Sequence, residues 1–369
     1  QTVGLAFLDD RKTEIYKEFK TSALKNGLVT QCMQFGPRKK VNPTVTSNVA
    51  KQISNKRGNM MWTAQLKCCE GKNVMFVGVD EQSKTMNERK GNKVCKVQTF
   101  VTTYVAFLVT SDNQWHHFCN HDVTNGGYIT IGRDGTSDSN ETSTEHDAAQ
   151  TKTGTTHNNQ LGLFLENAVS HYQAISASGI DEVFITRTNV PDSAFDHVRN
   201  EELMMCETSL QGLPFTFCVA QDNSDVRFHF TTDSQESVGL KSQNQSTNVP
   251  RGFYTKDIVE FVRDDGDERS SYEGLYLNAA NCSLAHIKPV RFLFLTDLNQ
   301  SSIFSNMDDV AQVLYDTAFL FPNKPDALKT PLWSKCALKY NHLLMNVIDL
   351  DQARGGLQFD HMKIGMHYL

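Results

Sequence analysis

Asn73-Val-Met-Phe-Val-Gly-Val-Asp80 is the stretch on which the reading of this chain turns. It reads as a strand that finishes on an aspartate. A second segment of the same character, Asp181-Glu-Val-Phe-Ile-Thr-Arg-Thr188, finishes on a threonine. A third, Tyr340-Asn-His342-Leu-Leu-Met345, supplies a histidine near the C-terminus. Chemistry that uses two divalent ions needs several hard oxygen or imidazole ligands within a few ångströms. Asp80 and His342 answer that need at the two ends of the series. Thr188 offers a neutral hydroxyl where the middle carboxylate would stand.

Working outward, the first seventy residues repeat one unit. Residues 2–8 read as a buried strand, residues 13–26 as a helix stopped by Gly27, and residues 27–34 as the next strand. Pro43 and Thr44 open a second helix that runs to Gly58. Strand–helix–strand–helix predicts a small parallel-sheet domain over residues 1–70. A second set fills 71–369. Its strands are read at 74–80, 95–109, 115–123, 183–186, 215–220, 274–278 and 291–295, and its helices at 161–177, 307–319 and 338–349. Residues 124–159 and 231–248 are rich in Gly, Ser, Thr, Asn, Asp and Gln and read as long polar loops, with a short charged loop at 264–271. The fold class expected is therefore α/β.

At 369 residues the chain has room for two such domains. No apolar run approaches the ~20 residues of a membrane helix. The chain opens on Gln1, without a methionine or a charged-then-apolar leader, and reads as a piece of a longer protein. Nine cysteines, with no CxxC pair, argue for a reducing compartment, cytoplasmic or nuclear and not secreted. The net charge of −6 hides an asymmetry: residues 1–70 hold 12 Lys+Arg against 5 Asp+Glu. A basic first segment on an acidic body points to one local anion site rather than general affinity for nucleic acid.

Several motifs fall in a fixed order. Ile15-Tyr-Lys-Glu-Phe-Lys20 sits on the first helix, Thr30-Gln31-Cys32 on the second strand, and Ser47–Gly58, followed by Trp62, on the second helix. Further on come Phe184-Ile-Thr-Arg-Thr-Asn-Val190, and then Thr216-Phe-Cys-Val-Ala220 followed by Val226-Arg227-Phe228. Lys288–Asp297, Ala337–Leu344 and the terminal His367-Tyr368-Leu369 complete the series. In order, spacing and terminus they resemble the C-terminal half of Argonaute/Piwi proteins, and the Piwi clade more than the Argonaute clade. The resemblance implies a Rossmann-like MID domain (1–70) followed by an RNase-H-like PIWI domain (71–369).

The same resemblance implies a guide strand held by its 5′ phosphate. Tyr16, Lys20, Gln31, Gln52 and Lys56 match the family's phosphate pocket. The 16/20 and 52/56 spacings set each pair on one helix face, and Tyr16 matches the platform on which the first base stacks. The C-terminal carboxylate of Leu369 would lie beside the phosphate, so with Gln31 it implies a bridging Mg²⁺. Partners implied are a small guide RNA, a target RNA paired to it and silencing-complex proteins, with no membrane. In the family's cleavage site Asp80 matches the first aspartate and His342 the third ligand, while Thr188 replaces the second aspartate. The segment 155–160, where a glutamate is due, has no carboxylate. A hydroxyl cannot replace a bridging carboxylate, so the implied function is RNA-guided silencing without cleavage. Two alternatives stand beside it. One is a divergent two-metal endonuclease rescued by Glu141, Glu145 or Asp192, and the other is a protein scaffold that has lost RNA binding. His117, Cys119 and His121 alternate along one strand and share a face, but no fourth ligand for zinc is evident.

Overall fold

The computed structural model describes residues 3–8, 13–34, 42–57, 63–90, 93–130, 158–175, 179–228, 249–263, 269–280, 288–322, 324, 326–347, 366 and 368. At the N-terminus, β1 (Val3–Leu8), α1 (Thr13–Lys25), β2 (Val29–Gln34) and α2 (Pro43–Lys56) follow in the expected order. β1 and β2 pair in parallel, from Val3 opposite Val29 to Leu8 opposite Gln34. α1 ends where Gly27 takes a φ of +66°, the left-handed region glycine enters without strain, and the chain turns into β2. Asn42 caps α2 by accepting the Val45 amide at 2.8 Å, with Pro43 in the first turn.

The second sheet has eight strands: β3 (Val74–Lys90), β4 (Lys93–Val109), β5 (Trp115–Thr130), β6 (Glu182–Thr188), β7 (Phe215–Gln221), β8 (Phe253–Arg263), β9 (Arg269–Asn278) and β10 (Val290–Phe294). Their order across the sheet is β5-β4-β3-β6-β7-β10-β9-β8, with β3, β6 and β7 parallel and the remaining pairs antiparallel. Helices cover both faces. α3 (Asn158–Gln173) and the segment α4 (Phe195–His197), a π-turn (Val198–Leu203) and α5 (Met204–Leu210) lie on one side. α6 (Met307–Thr317) and α7 (Leu332–Asn346) lie on the other. Val74 and Phe76 enter the α6/α7 core, while Met75, Val77 and Val79 enter the α3/α5 core. A strand buried on both faces must be apolar at every position, which is why 74–79 reads as a continuous run.

The polar parts of the sheet depart from expectation. β3 continues ten residues past Asp80, paired with β4 as far as Lys90 opposite Lys93. β5 continues to Thr130, inside the segment expected to be loop from 124 onward, and residues 131–157 lie outside the described residues. Residues 269–271, expected as loop, begin β9, and β8 was not anticipated. Residues 231–248 and 264–268 lie outside the described residues. The stretch of β3 past Asp80, Glu81-Gln-Ser-Lys-Thr-Met-Asn-Glu-Arg-Lys90, lacks the apolar signature that a sequence pattern detects. The last helix starts at Leu332, directly after Pro331, and not at residue 338 as expected.

α7 crosses β3 at Gly78. A β-carbon there would stand 2.6 Å from the Trp333 carbonyl carbon and 2.9 Å from the Ser334 amide nitrogen. Both are backbone atoms of the helix's first turn, so the approach requires glycine. Trp333 stacks on Phe76 at 4.4 Å and donates its Nε1–H to Thr186 Oγ1 at 2.9 Å. Gly78→Ala is therefore expected to destabilise the fold by about 1–3 kcal/mol through overpacking. Chemical denaturation measures this, and an unchanged midpoint would refute the contact.

Candidate functional site

The structure brings together part of each of two expected sites. In the first, β2 presents the Thr30 carbonyl between two helices. Lys20 Nζ of α1 donates to it at 2.8 Å, and Lys56 Nζ of α2 donates to it at 3.0 Å. Lys56 also donates to Gln31 Oε1 at 2.8 Å, and Gln31 Nε2 donates to Gln52 Oε1 at 2.7 Å. Lys20 is 5% exposed and Lys56 1%. Among the described residues neither ammonium has a carboxylate partner. Burial pushes both lysines down, and Lys56 falls to about 7, with the charge of Lys20 adding to the effect. Burial also pushes the Cys32 thiol up. Two buried cations with only neutral acceptors form a site that lacks an anion.

Tyr16 is half-buried one turn before Lys20 on α1. Leu369 lies outside the described residues. The described part of the pocket does not by itself fit a divalent ion, because Gln31 Oε1 already faces the Lys56 ammonium and no carboxylate joins it.

The second site lies at the C-terminal ends of the parallel strands. Asp80 of β3 is the register partner of Thr188 on β6. Its Oδ1 accepts Thr188 Oγ1 and Asn189 Nδ2, each at 2.6 Å, and its Oδ2 accepts Gln82 Nε2 at 3.1 Å. Burial raises the Asp80 carboxyl above its ordinary range, against the lowering pull of these donors and of Arg187. Arg187 is held by both Glu202 oxygens at 3.1 Å and donates to the Thr188 carbonyl at 3.0 Å, which fixes the strand end. From α7, Asn341 donates to the Asp80 carbonyl oxygen at 3.1 Å and to the Val101 carbonyl at 2.8 Å. His342, its neighbour, is exposed and is not in the wall of the adjoining cavity. The residues of α7 that do line that cavity are Ser334, Lys335 and Leu338. Among the described residues no three His, Cys, Asp or Glu side chains are grouped to hold a metal. Glu141 and Glu145 lie outside the described residues. Asp192 lines an adjoining cavity that shares Asn189 and Asp222 with the one beside Asp80, and Arg291 reaches it at 3.3 Å.

The cavity beside Asp80 has a volume of about 560 Å³, and four lysines line it: Lys288, Lys324, Lys329 and Lys335. Sequence reasoning missed this set. Three of the four lie within twelve residues around Pro331, a clustering visible in the sequence but without meaning until the loop and helix are placed beside Asp80. The histidine strand resolves differently. His117 Nε2 meets the Tyr368 hydroxyl at 2.6 Å, His121 Nδ1 meets the Tyr340 hydroxyl at 2.7 Å, and Cys119 is buried between them in the core. The three share a face, and tyrosines fill it.

No family model matches the chain. Its sequence aligns over 377 positions with Protein argonaute 1 of Leishmania braziliensis at 26% identity, covering 100% of this chain and 40% of that protein. The crystal structure of Drosophila Piwi matches with a TM-score of 0.67 at 15% identity, over 100% of this chain and 42% of that one. The C-terminal lobe of a budding yeast Argonaute matches at 0.64 and 14%, over 100% and 69%. This is the fold of an Argonaute/Piwi C-terminal lobe. The expected α/β layout, a Rossmann-like MID portion and an RNase-H-like PIWI sheet, is the layout of that lobe. Kluyveromyces polysporus Argonaute, solved with a guide RNA, matches at 0.64 and 15%, over 100% of this chain and 42% of that one. The chain spans about 40% of the length of its curated Argonaute relative. No described helix is long and apolar enough to cross a membrane.

Two outcomes follow from the geometry of this Argonaute/Piwi-like lobe. With Lys56 near 7 in the folded state and near 10.5 unfolded, the unfolded chain binds more protons between those values. Stability of the free protein is therefore expected to rise with pH from about 7 towards 10.5, and Lys56→Met to flatten that slope, in denaturation curves taken across the range. Thr188→Val, which removes a buried donor from Asp80, is expected to cost about 1–3 kcal/mol. A wild-type unfolding midpoint for Thr188→Val would show that the bond carries no weight.

Proposed function

We propose that this chain is the guide-holding half of a Piwi-type silencing protein, which binds a small RNA by its 5′ phosphate and presents it for pairing without cutting the target. The observation that carries the reading is the pair of buried lysines on the Thr30 carbonyl, with no carboxylate partner among the described residues. A phosphate supplies the missing charge, and Gln31 and Gln52 supply neutral hydrogen bonds at its edge. In this reading Tyr16 stacks on the first base. In this reading residues 1–70 form the MID domain and residues 71–369 the PIWI domain. Mg²⁺ joins the phosphate only through the Leu369 carboxylate.

The absence of cleavage in this proposal rests on Asp80. All its hydrogen bonds are to neutral side chains of the chain itself, and its lateral neighbour is a hydroxyl. The target RNA is recognised by pairing with the guide, and silencing passes through recruited proteins in the cytoplasm or nucleus.

Binding of one single-stranded RNA with a 5′ phosphate or a 5′ hydroxyl, in Mg²⁺ and in EDTA, tests the proposal. The expected result is a preference for the phosphorylated strand of about tenfold or more, ~1.4 kcal/mol. It should weaken as pH rises above 7 and disappear in Lys56→Gln. Weak, equal binding of both strands would leave the scaffold reading in its place. Cleavage of a paired target in Mg²⁺ or Mn²⁺ would overturn the non-cutting part and restore the endonuclease reading.

A further inference from the structure

The cavity at the start of α7 carries a charge balance opposite to that of a metal centre. Its wall holds Lys288, Lys324, Lys329 and Lys335 against two carboxylates, Asp80 and Asp222. Asp80 is occupied by Thr188, Asn189 and Gln82, and Lys288 pairs with Asp225 at 3.4 Å. Among the described residues Lys329 and Lys335 have no ion-pair partner.

Two further features point into the same space. α7 is fifteen residues long, and Pro331 at its N-cap makes no side-chain hydrogen bond. The first-turn amides of such a helix are unsatisfied donors at its positive end. Ser334, in that turn and on the cavity wall, is 1% exposed, and its hydroxyl has no hydrogen-bond partner. A buried hydroxyl without a partner is destabilising unless a ligand oxygen meets it. A divalent cation would be repelled by the lysines and would find no free carboxylate pair. An anion of nucleotide size would meet ammoniums, a hydroxyl and amides together, in a volume suited to one sugar-phosphate unit.

We propose that this cavity binds a phosphodiester of a paired nucleic-acid strand directly, through Lys324, Lys329, Lys335, the Ser334 hydroxyl and the first turn of α7, with no divalent ion between. Only the source of that strand, a target paired to a guide, rests on the function proposed above; the anion site rests on the cavity itself. The lysines hold a backbone where a two-metal enzyme would cut one, so the strand is retained and left intact.

The test uses a short RNA duplex with 5′-hydroxyl ends, so that the 5′-phosphate pocket is not engaged, titrated by fluorescence anisotropy in EDTA at several salt concentrations. Wild type is expected to bind without a divalent ion. Lys329→Gln/Lys335→Gln is expected to reduce the slope of log affinity against log salt by about 0.9 per lysine removed. Ser334→Ala is expected to weaken binding severalfold without lowering the thermal midpoint, which separates loss of a ligand contact from loss of fold. The 5′-hydroxyl duplex reads only this cavity, and the single-stranded 5′-phosphate comparison above reads only the guide pocket, so this inference and the guide-pocket reading can fail separately. Binding that needs Mg²⁺, no duplex binding by wild type, or an unchanged salt slope in the double variant would each overturn the proposal.

Discussion

The close approach of α7 to β3 at Gly78 sets the terms for the rest of the PIWI-like half. Because Gly78 has no side chain, the Trp333 backbone lies against the strand, and the indole drops between Phe76 and Thr186. That contact fixes where the helix begins, and the position of its first turn decides which side chains face Asp80. Ser334 and Lys335 reach the cavity, and two turns later Asn341 reaches back to the Asp80 and Val101 carbonyls. One rigid element carries all of these side chains, so a displacement of the helix moves them together.

The two sites handle charge in contrasting ways. Around Thr30, cations are buried and carry only neutral partners, so their charge is held in reserve for a ligand. Around Asp80, a carboxylate is buried and its oxygens are occupied by hydroxyl and amide donors. The first arrangement is incomplete without an anion. The second is complete in itself, and the surplus charge beside it, on the four lysines, is positive. In both places the charge left without a carboxylate partner among the described residues is positive.

What the sequence made legible follows from which physical signal each feature leaves. The strand ending at Asp80 and its parallel neighbour ending at Thr188 were readable because buried parallel strands are apolar throughout, and the β1–α1–β2–α2 order because helices carry Pro and Gly at their ends; β1, expected to be buried, leaves Leu5 53% and Phe7 61% exposed. The convergence of Lys20, Gln31, Gln52 and Lys56 was reached through resemblance, and the structure joins them by hydrogen bonds. The polar length of β3 beyond Glu81 was not readable, because ladder hydrogen bonding to a partner strand leaves no mark on side-chain type, whereas β8 was overlooked although its β-branched and aromatic residues mark a strand. On α7, His342 was expected inward, but the helix phase fixed by Trp333 turns Asn341 inward and leaves His342 exposed. A helix rotates about 100° per residue, so an error of one position exchanges face for flank. The lysine cavity joins β7, the loop before α7 and α7 itself, and no local pattern announces that meeting.

The register of Asp80 opposite Thr188 has a consequence for assembly. Adjacent strands lie about 4.8 Å apart, so a carboxylate at 188 would bring two negative charges to a strand spacing from each other. Such a pair is quiet only when a proton or an ion sits between them. Threonine closes the pair with its own hydrogen, and the sheet edge is finished as soon as the two strands register. The contact between these two strand ends thus needs no ion to close it.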